Sequence, residues 1–317
     1  MSKRVIFFIA LFLSPAFFSC DINEDEDTDD TEEGINLAEG AEDASDYQFT
    51  ESEATVITLN GSSATVSGDG ASVSGATVTI SSPGNYKLTG TLTNGQIVVK
   101  AKEEGTVRLI LNGVTVSNSS TSPLFVDSAE KVVLVLNEGT TNTFTDGTSY
   151  SDTDEGQNAA IYSQAYLSVY GTGKLIADGN YADGIGAKDG MVIKSGTIEV
   201  TAVDDGIRGK DYLLIHDANV TVNCGGDGLK SDNETDTSLG YVYIEAGSFN
   251  ITAGADGISA QTALVTKEGQ YTVTSGGGSS RTVSATLSAK AIKAGGAISL
   301  TGTSFNLSAA EDGIHSD

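Results

Sequence analysis

The chain has 317 residues, 38 of them glycine, only 3 proline, no tryptophan, and a formal net charge of −26. So acidic a chain argues against nucleic-acid binding, which needs a basic surface, and favours cations. Gly, Thr, Ser, Val and Ile dominate with almost no amphipathic-helix period after residue 20, which points to an all-β architecture rich in turns.

Residues 1–19 read as a secretory signal. Lys3 and Arg4 form its charged start, and 5–13 form an apolar run too short to span a bilayer as a mature helix. The segment ends Phe17-Phe18-Ser19-Cys20. A small residue before a cysteine at this distance resembles the processing site of a bacterial lipoprotein, so Cys20 is the expected lipidation site and a lipid anchor the expected link to the membrane. Residues 20–46 follow as an acidic tether. From 21 to 46 there are 13 Asp or Glu and no Lys or Arg, a composition that cannot bury a core and is expected to be disordered. An acidic tract after a lipidated cysteine also resembles the surface-export signals of some Gram-negative lipoproteins. The expected location is the outer membrane or cell surface. Cys224, the only other cysteine, falls on an inward position and is expected in the core.

Residues 47–155 are β-rich but irregular, with strands near 54–59, 76–80, 86–92, 96–99, 107–111, 114–116 and 124–126. Asn60-Gly61, Pro83-Gly84, Asn94-Gly95 and Asn112-Gly113 punctuate them. This part is expected to be an N-terminal cap and the first irregular coils. The most apolar strand is 131–136, and a polar loop at 140–158 carries Asp146, Asp152, Asp154 and Glu155.

Residues 156–317 hold a repeat. Asp183-Gly184-Ile185, Asp205-Gly206-Ile207 and Asp227-Gly228-Leu229 recur at a step of 22 residues, and the tripeptide returns at Asp256-Gly257-Ile258 and Asp312-Gly313-Ile314. Apolar positions follow each Ile or Leu at +6 (Met191, Leu213, Leu264, Ile298), +8, +13 (Ile198, Val220, Tyr271, Phe305) and +15. Alternation within each unit is the strand period. Three short strands per repeat make one coil of a parallel β-helix, and no coil buries its inner face until it stacks on a neighbour. Polar, turn-rich insertions at 231–240 and 276–283 read as loops. The chain ends three residues into a further coil, so another coil and a cap are expected beyond it.

The register stacks Asp183, Asp205 and Asp227 in one column. A second column holds Asp189, Asp211 and Asn233, and a third Lys188, Lys210 and Asp232. Levels in register lie about 4.8 Å apart, and two carboxylates at that spacing repel by roughly 3 kcal/mol at an effective dielectric near 20. Three readings stay open: Asp as a turn residue bonding a backbone amide, pairing with Arg208, Lys188, Lys210 and Lys230, or a divalent cation, most plausibly calcium given hard oxygen donors without clustered His or Cys. Candidate ligands are Asp183, Asp204, Asp205, Asp227, Asp232, Asn233, Glu234 and Asp236.

Ala182-Asp183-Gly184-Ile185, the string from Asp204 through Gly206-Ile207-Arg208 to Tyr212, and Gly225-Gly226-Asp227-Gly228-Leu229-Lys230-Ser231-Asp232-Asn233 resemble the calcium-binding, carbohydrate-binding β-helix family of bacterial surface proteins, related in fold to pectate lyases. The resemblance runs from about residue 50 to the end. It implies a right-handed parallel β-helix, bound calcium, and binding of polysaccharides such as cellulose or acidic pectic chains.

The leading functional expectation is therefore a non-catalytic, monomeric polysaccharide-binding protein. Tyr181, Tyr212, Tyr241 and Tyr243 sit at outward positions where rings stack on sugars, with Arg208 and Lys210 beside them. The alternatives are a calcium-dependent lyase using Arg208, Lys210 or Lys230 as base in β-elimination of a uronate, and a purely structural adhesin. His216 and His315 are too far apart in sequence to suggest a paired site, and no Ser-His-Asp or Cys-His arrangement is visible.

Overall fold

Alternating apolar residues form strands here from residue 55 onward. The computed structural model describes residues 41–151 and 156–317. The signal segment, Cys20, the acidic run to 40, and Asp152, Asp154 and Glu155 lie outside the described residues. The described residues belong to one unit, Glu32–Asp317.

Among the described residues, 27 strands form a 16-stranded and an 11-stranded sheet. The smaller sheet carries the repeat. Ile185 pairs Ile207, Ile207 pairs Leu229, Leu229 pairs Ile258, Ile258 pairs Ile292 and Ile292 pairs Ile314, all in parallel strands. Its 22-residue step thus survives both insertions, whose residues leave the sheets as loops. On the larger sheet Met191 pairs Leu213 and Ile198 pairs Val220. Inward side chains such as Ile193, Ile198, Leu213 and Ile215 are completely buried. Each contributes about 1.5–3 kcal/mol relative to an exposed position. Phe249, Tyr271 and Phe305 stack inside, with successive centroids 4.7 Å apart.

The expectation of an open right-handed parallel β-helix is corrected by the strand pairing. Within the larger sheet eight parallel strands close into a ring, a barrel-like circuit with the remaining strands and the second sheet attached to it. In order they are Thr106–Ser117, Lys131–Leu136, Tyr166–Gly171, Met191–Ile193, Tyr212–Cys224, Thr197–Ala202, Lys174–Gly179 and Thr141–Thr145, which pairs back onto Thr106–Ser117. The cause is strand length. Thr106–Ser117 pairs Lys131–Leu136 along its first half and Thr141–Thr145 along its second. Tyr212–Cys224 does the same with Met191–Ile193 and Thr197–Ala202. What sequence periodicity reads as two separate strands is one strand that turns a corner and joins two ladders. A second difference lies at the start: Thr55–Gly61 with Ala64–Ser67, and Ala71–Ser74 with Thr77–Ile80, are antiparallel hairpins. No ladder breaks near residue 155, because Leu124 pairs Ile161 and Lys131 pairs Tyr166.

The end of the acidic run docks on the larger sheet. Ala44–Tyr47 is a 3-10 turn whose capping Asp43 accepts the Ser45 amide. Asp46 is buried and takes Lys131 Nζ at 2.5 Å, while Arg108 donates to the Asp46 and Ser45 carbonyls. Tyr47 packs on Tyr170 with centroids 4.9 Å apart. Apolar cover and a buried ion pair order residues whose composition alone reads as a free tether.

Candidate functional site

The Asp column is held by the backbone of the level above each residue. Asp183 Oδ1 accepts the Asp205 amide at 3.1 Å, Asp205 Oδ1 the Asp227 amide at 2.8 Å, Asp227 Oδ1 the Asp256 amide at 2.9 Å, and Asp256 Oδ1 the Lys290 amide at 2.7 Å. Acid therefore recurs at this corner because one carboxylate oxygen satisfies a buried N–H that no strand ladder reaches.

Neutralisation of the second oxygen differs down the column. Lys230 Nζ lies 2.9 Å from both Asp205 Oδ2 and Asp227 Oδ2, and Lys293 lies 3.6 Å from Asp256. Burial alone would lower the Lys230 pKa, but Asp227 and Asp205 outweigh it and push it up. Asp183 has no such partner among the described residues. Among the described residues its Oδ2 accepts the Asn158 side-chain amide, at 2.7 Å. Burial, reinforced by Asp205, raises its pKa from 3.8 to about 7. Asp205 is also raised, by burial first.

Asp183, Asp204 and Asp205 each bring one carboxylate oxygen within 4.8 Å of the others. They form the one such group of metal-ligating side chains among the described residues. Two are buried and Asp204 is exposed, so the cluster opens outward. Gly226 makes the room. A Cβ there would sit 2.5 Å from Asp204 Oδ1 and 2.6 Å from Asp205 Oδ1. The donors are hard oxygens, and an uncompensated carboxylate sits among them. The set fits a hard divalent cation that draws its remaining ligands from solvent or substrate oxygens.

The other expected metal ligands do not join this cluster. Asp232 Oδ2 takes both Nε and Nη2 of Arg208, each at 2.9 Å. Asn233 Oδ1 accepts the Thr235 and Asp236 amides, closing its own loop, and Asn233 Nδ2 donates to Asp211. Asp236 caps Ser238. Glu234 is exposed. With Asp236 it lines a separate cleft of about 480 Å³ whose lining also includes Gly295 and Gly296.

The tyrosines divide in the same way. Tyr212 and Tyr241 face outward, as the register requires, but are buried. Their rings stack 5.5 Å apart, with Tyr166 beyond, and Tyr212 Oη accepts the Ala41 amide. The Tyr212 ring lies across Gly190, where a Cβ would fall 2.0 Å from it. Tyr181 stacks on Tyr150 at 4.2 Å, and Tyr243 packs half-buried against the Val192, Tyr212 and Ala263 cluster. These rings spend their faces on one another, which removes Tyr212 and Tyr241 as sugar platforms. Cys224 is in the core, and burial, with Asp205 and Asp227 nearby, pushes its thiol pKa up to about 12.

Sequence reasoning missed Asn158, the partner of Asp183. A signal was present. Ile161 lies 24 residues before Ile185, which places 158–159 one level below Asp183, and Ala159 does pair Asp183. Asn158 also lines a cleft of about 540 Å³ with Tyr162, Gln164, Lys188, Asp189, Arg208 and Lys210. Arg208 and Lys210, taken as candidate sugar contacts, thus meet in one cleft, whereas Lys230 is committed to the Asp column.

An all-β frame of stacked parallel strands, with an acid cluster and a polar cleft, defines a scaffold suited to ligand binding. The chain belongs to the family of carbohydrate-binding domain-containing proteins, whose model matches residues 74–317. A carbohydrate-binding domain-containing protein of Acetivibrio thermocellus is 40% identical over 212 residues, covering 66% of this chain and 74% of the relative. Among solved structures, the polysaccharide lyase-like protein of C. thermocellum, in its gadolinium derivative, superposes with a TM-score of 0.67 at 29% identity. That alignment covers 80% of this chain and 97% of the other.

Proposed function

We propose that the protein binds an extended polysaccharide, of the acidic pectic or cellulose type, without cleaving it, and that calcium held by Asp183, Asp204 and Asp205 takes part. The carrying observation is the acid cluster itself. Three carboxylates converge, and of the two buried ones Asp183 has neither a Lys nor an Arg ion-pair partner among the described residues. A divalent cation offsets that repulsion and, with coordination positions left over, accepts sugar oxygens. Lipid anchoring through Cys20 at the outer membrane or cell surface completes the proposal.

A lyase needs a base that is neutral at working pH. Lys230 and Arg208, two of its candidates, are held as cations: Lys230 by Asp227 and Asp205, Arg208 by Asp232. The geometry therefore favours binding. Calorimetry against polygalacturonate, cellulose and an unrelated neutral glycan, with calcium and with chelator, tests this. Calcium-strengthened binding to at least one glycan, with no unsaturated sugar released on long incubation, is the expected result. Binding to none sinks the proposal, and released unsaturated product replaces it with the lyase.

A further inference from the structure

In a chain of net charge −26, the cleft beside Asn158 is an exception. Three cations, Lys188, Arg208 and Lys210, line it against one acid, Asp189. Arg208 spends Nε and Nη2 on Asp232, and a guanidinium has five N–H donors in all. Lys188 sits over the Tyr162 ring, 5.9 Å from its centroid. Among the described residues, no carboxylate lies within ion-pair distance of Lys188 or Lys210. Lys210 and Lys188 offset Asp189, and Arg208 acts on Asp183 and Asp205 as well as Asp232, so the three cations still outnumber the one acid that lines the cleft.

Tyr162 and Arg208, both of which line the cleft, flank a glycine rather than each other. Tyr162, Gly186 and Arg208 stand in register on three adjacent strands. A Cβ at Gly186 would meet Ala159 Cβ at 3.5 Å, Tyr162 Cδ2 at 3.6 Å and Asp183 Oδ2 at 3.9 Å, all ordinary contacts, and its φ is not in the left-handed region. Neither packing nor backbone demands glycine there, and Gly186 itself is buried between the ring and the guanidinium. A volume of about 540 Å³ is of the size that holds a small ligand.

We propose that this cleft is a carboxylate subsite, in which Lys188, Lys210 and the free edge of Arg208 take the carboxylate of an acidic sugar directly, with no bridging metal. The inference rests on the polysaccharide-binding reading and adds to it a second, calcium-independent point of recognition. Lys188 and Lys210 supply point charges, and Arg208 supplies planar donors suited to a carboxylate. A phosphate group offers similar charge, so the test separates the two.

The test is calorimetry in chelator with a galacturonate oligosaccharide and its carboxyl-reduced counterpart, using the full chain. Variants are Lys188→Ala, Lys210→Ala and the uncharged block Gly186→Val, each checked for an unchanged melting point. The acidic ligand should bind without calcium, and each lysine variant should weaken it about tenfold. The reduced ligand should bind wild type and lysine variants alike, and Gly186→Val should weaken both ligands. Acidic binding that ignores all three variants, or appears only with calcium, overturns the subsite and leaves the polysaccharide reading intact. Equal competition by inorganic phosphate also overturns it. No binding to any glycan, acidic or neutral, overturns both.

Discussion

A single carboxylate decides the electrostatics of the acid column. Asp183 keeps the same backbone bond as Asp205 and Asp227 but lacks their shared Lys230, and burial, aided by Asp205, pushes its pKa from 3.8 to about 7. For an acid raised in this way, the folded state binds the proton more tightly than the unfolded chain. Stability is whole below the ordinary value, where both states are protonated, and is lost as pH rises from about 4 to about 7. The loss above that window is at most about 4 kcal/mol, from roughly three units at 1.36 kcal/mol each. Asp183→Asn preserves an acceptor for the Asp205 amide and removes the charge. In chelator, urea unfolding of this variant should lack that part of the pH slope and lie about 2–4 kcal/mol above wild type at pH 8. Calcium should then stabilise wild type and leave the variant unmoved. A variant that gains stability from calcium as wild type does would move the metal elsewhere. The Asp-Gly-Ile repeat shows the position of this acid in the sequence, but not its isolation. That depends on Lys230 reaching down one level and Asn158 reaching up, contacts between levels that a one-level repeat does not encode.

At the scale of elements, the docked segment ending in Ala44–Tyr47 is fixed by charge on both sides. His216, outward as its neighbour Ile215 requires, lies between Glu42 and Glu245, with Nδ1 2.5 Å from Glu245. Glu42 also takes Lys194 at 3.1 Å, and Lys194 lies over Tyr47. Burial would lower the His216 pKa, but the two glutamates outweigh it and raise it, while Glu42 falls to about 2. A raised histidine contributes stability that is complete below its unfolded value near 6.5 and lost as pH rises through the folded value. Amide exchange at Ala41 and Glu42 should therefore accelerate above neutral pH while Asp46, tied to Lys131, stays protected. His216→Ala should make the two amides fast at all pH values, a local loss of about 1–2 kcal/mol. Protection that does not change in the variant would mean apolar cover alone holds the segment. Elements are also where sequence reading reached furthest and then stopped. The apolar positions at +6, +8, +13 and +15 all recur as paired residues, because burial imposes them level by level. Tyr212 and Tyr241 were legible as outward, but outward is not exposed. A ring filling the space above Gly190, and a segment from 171 residues earlier bonding its hydroxyl, have no local signature.

Over the whole molecule the consequence is cooperativity. In an open stack each level touches only its neighbours, and unfolding can spread from either end. Here Thr141–Thr145 joins Thr106–Ser117 to Lys174–Gly179 and closes the eight-strand ring. The closing strand hangs on Phe144, fully buried, and Asn142, whose side chain accepts the Gly113 and Val114 amides. Opening the ring exposes both ladders it joins, so strands distant in sequence should lose stability together. Phe144→Ala removes a large core side chain and should cost about 3–5 kcal/mol. Native-state hydrogen exchange is the measurement. In a closed ring the amides of Leu109, Leu134, Ile215 and Val220 should lose the same free energy of protection, and urea unfolding should remain one transition at a lower midpoint. If the loss is confined to Thr141–Thr145 and the strands directly beside it, closure carries no energetic weight and the ladders behave as independent stacks.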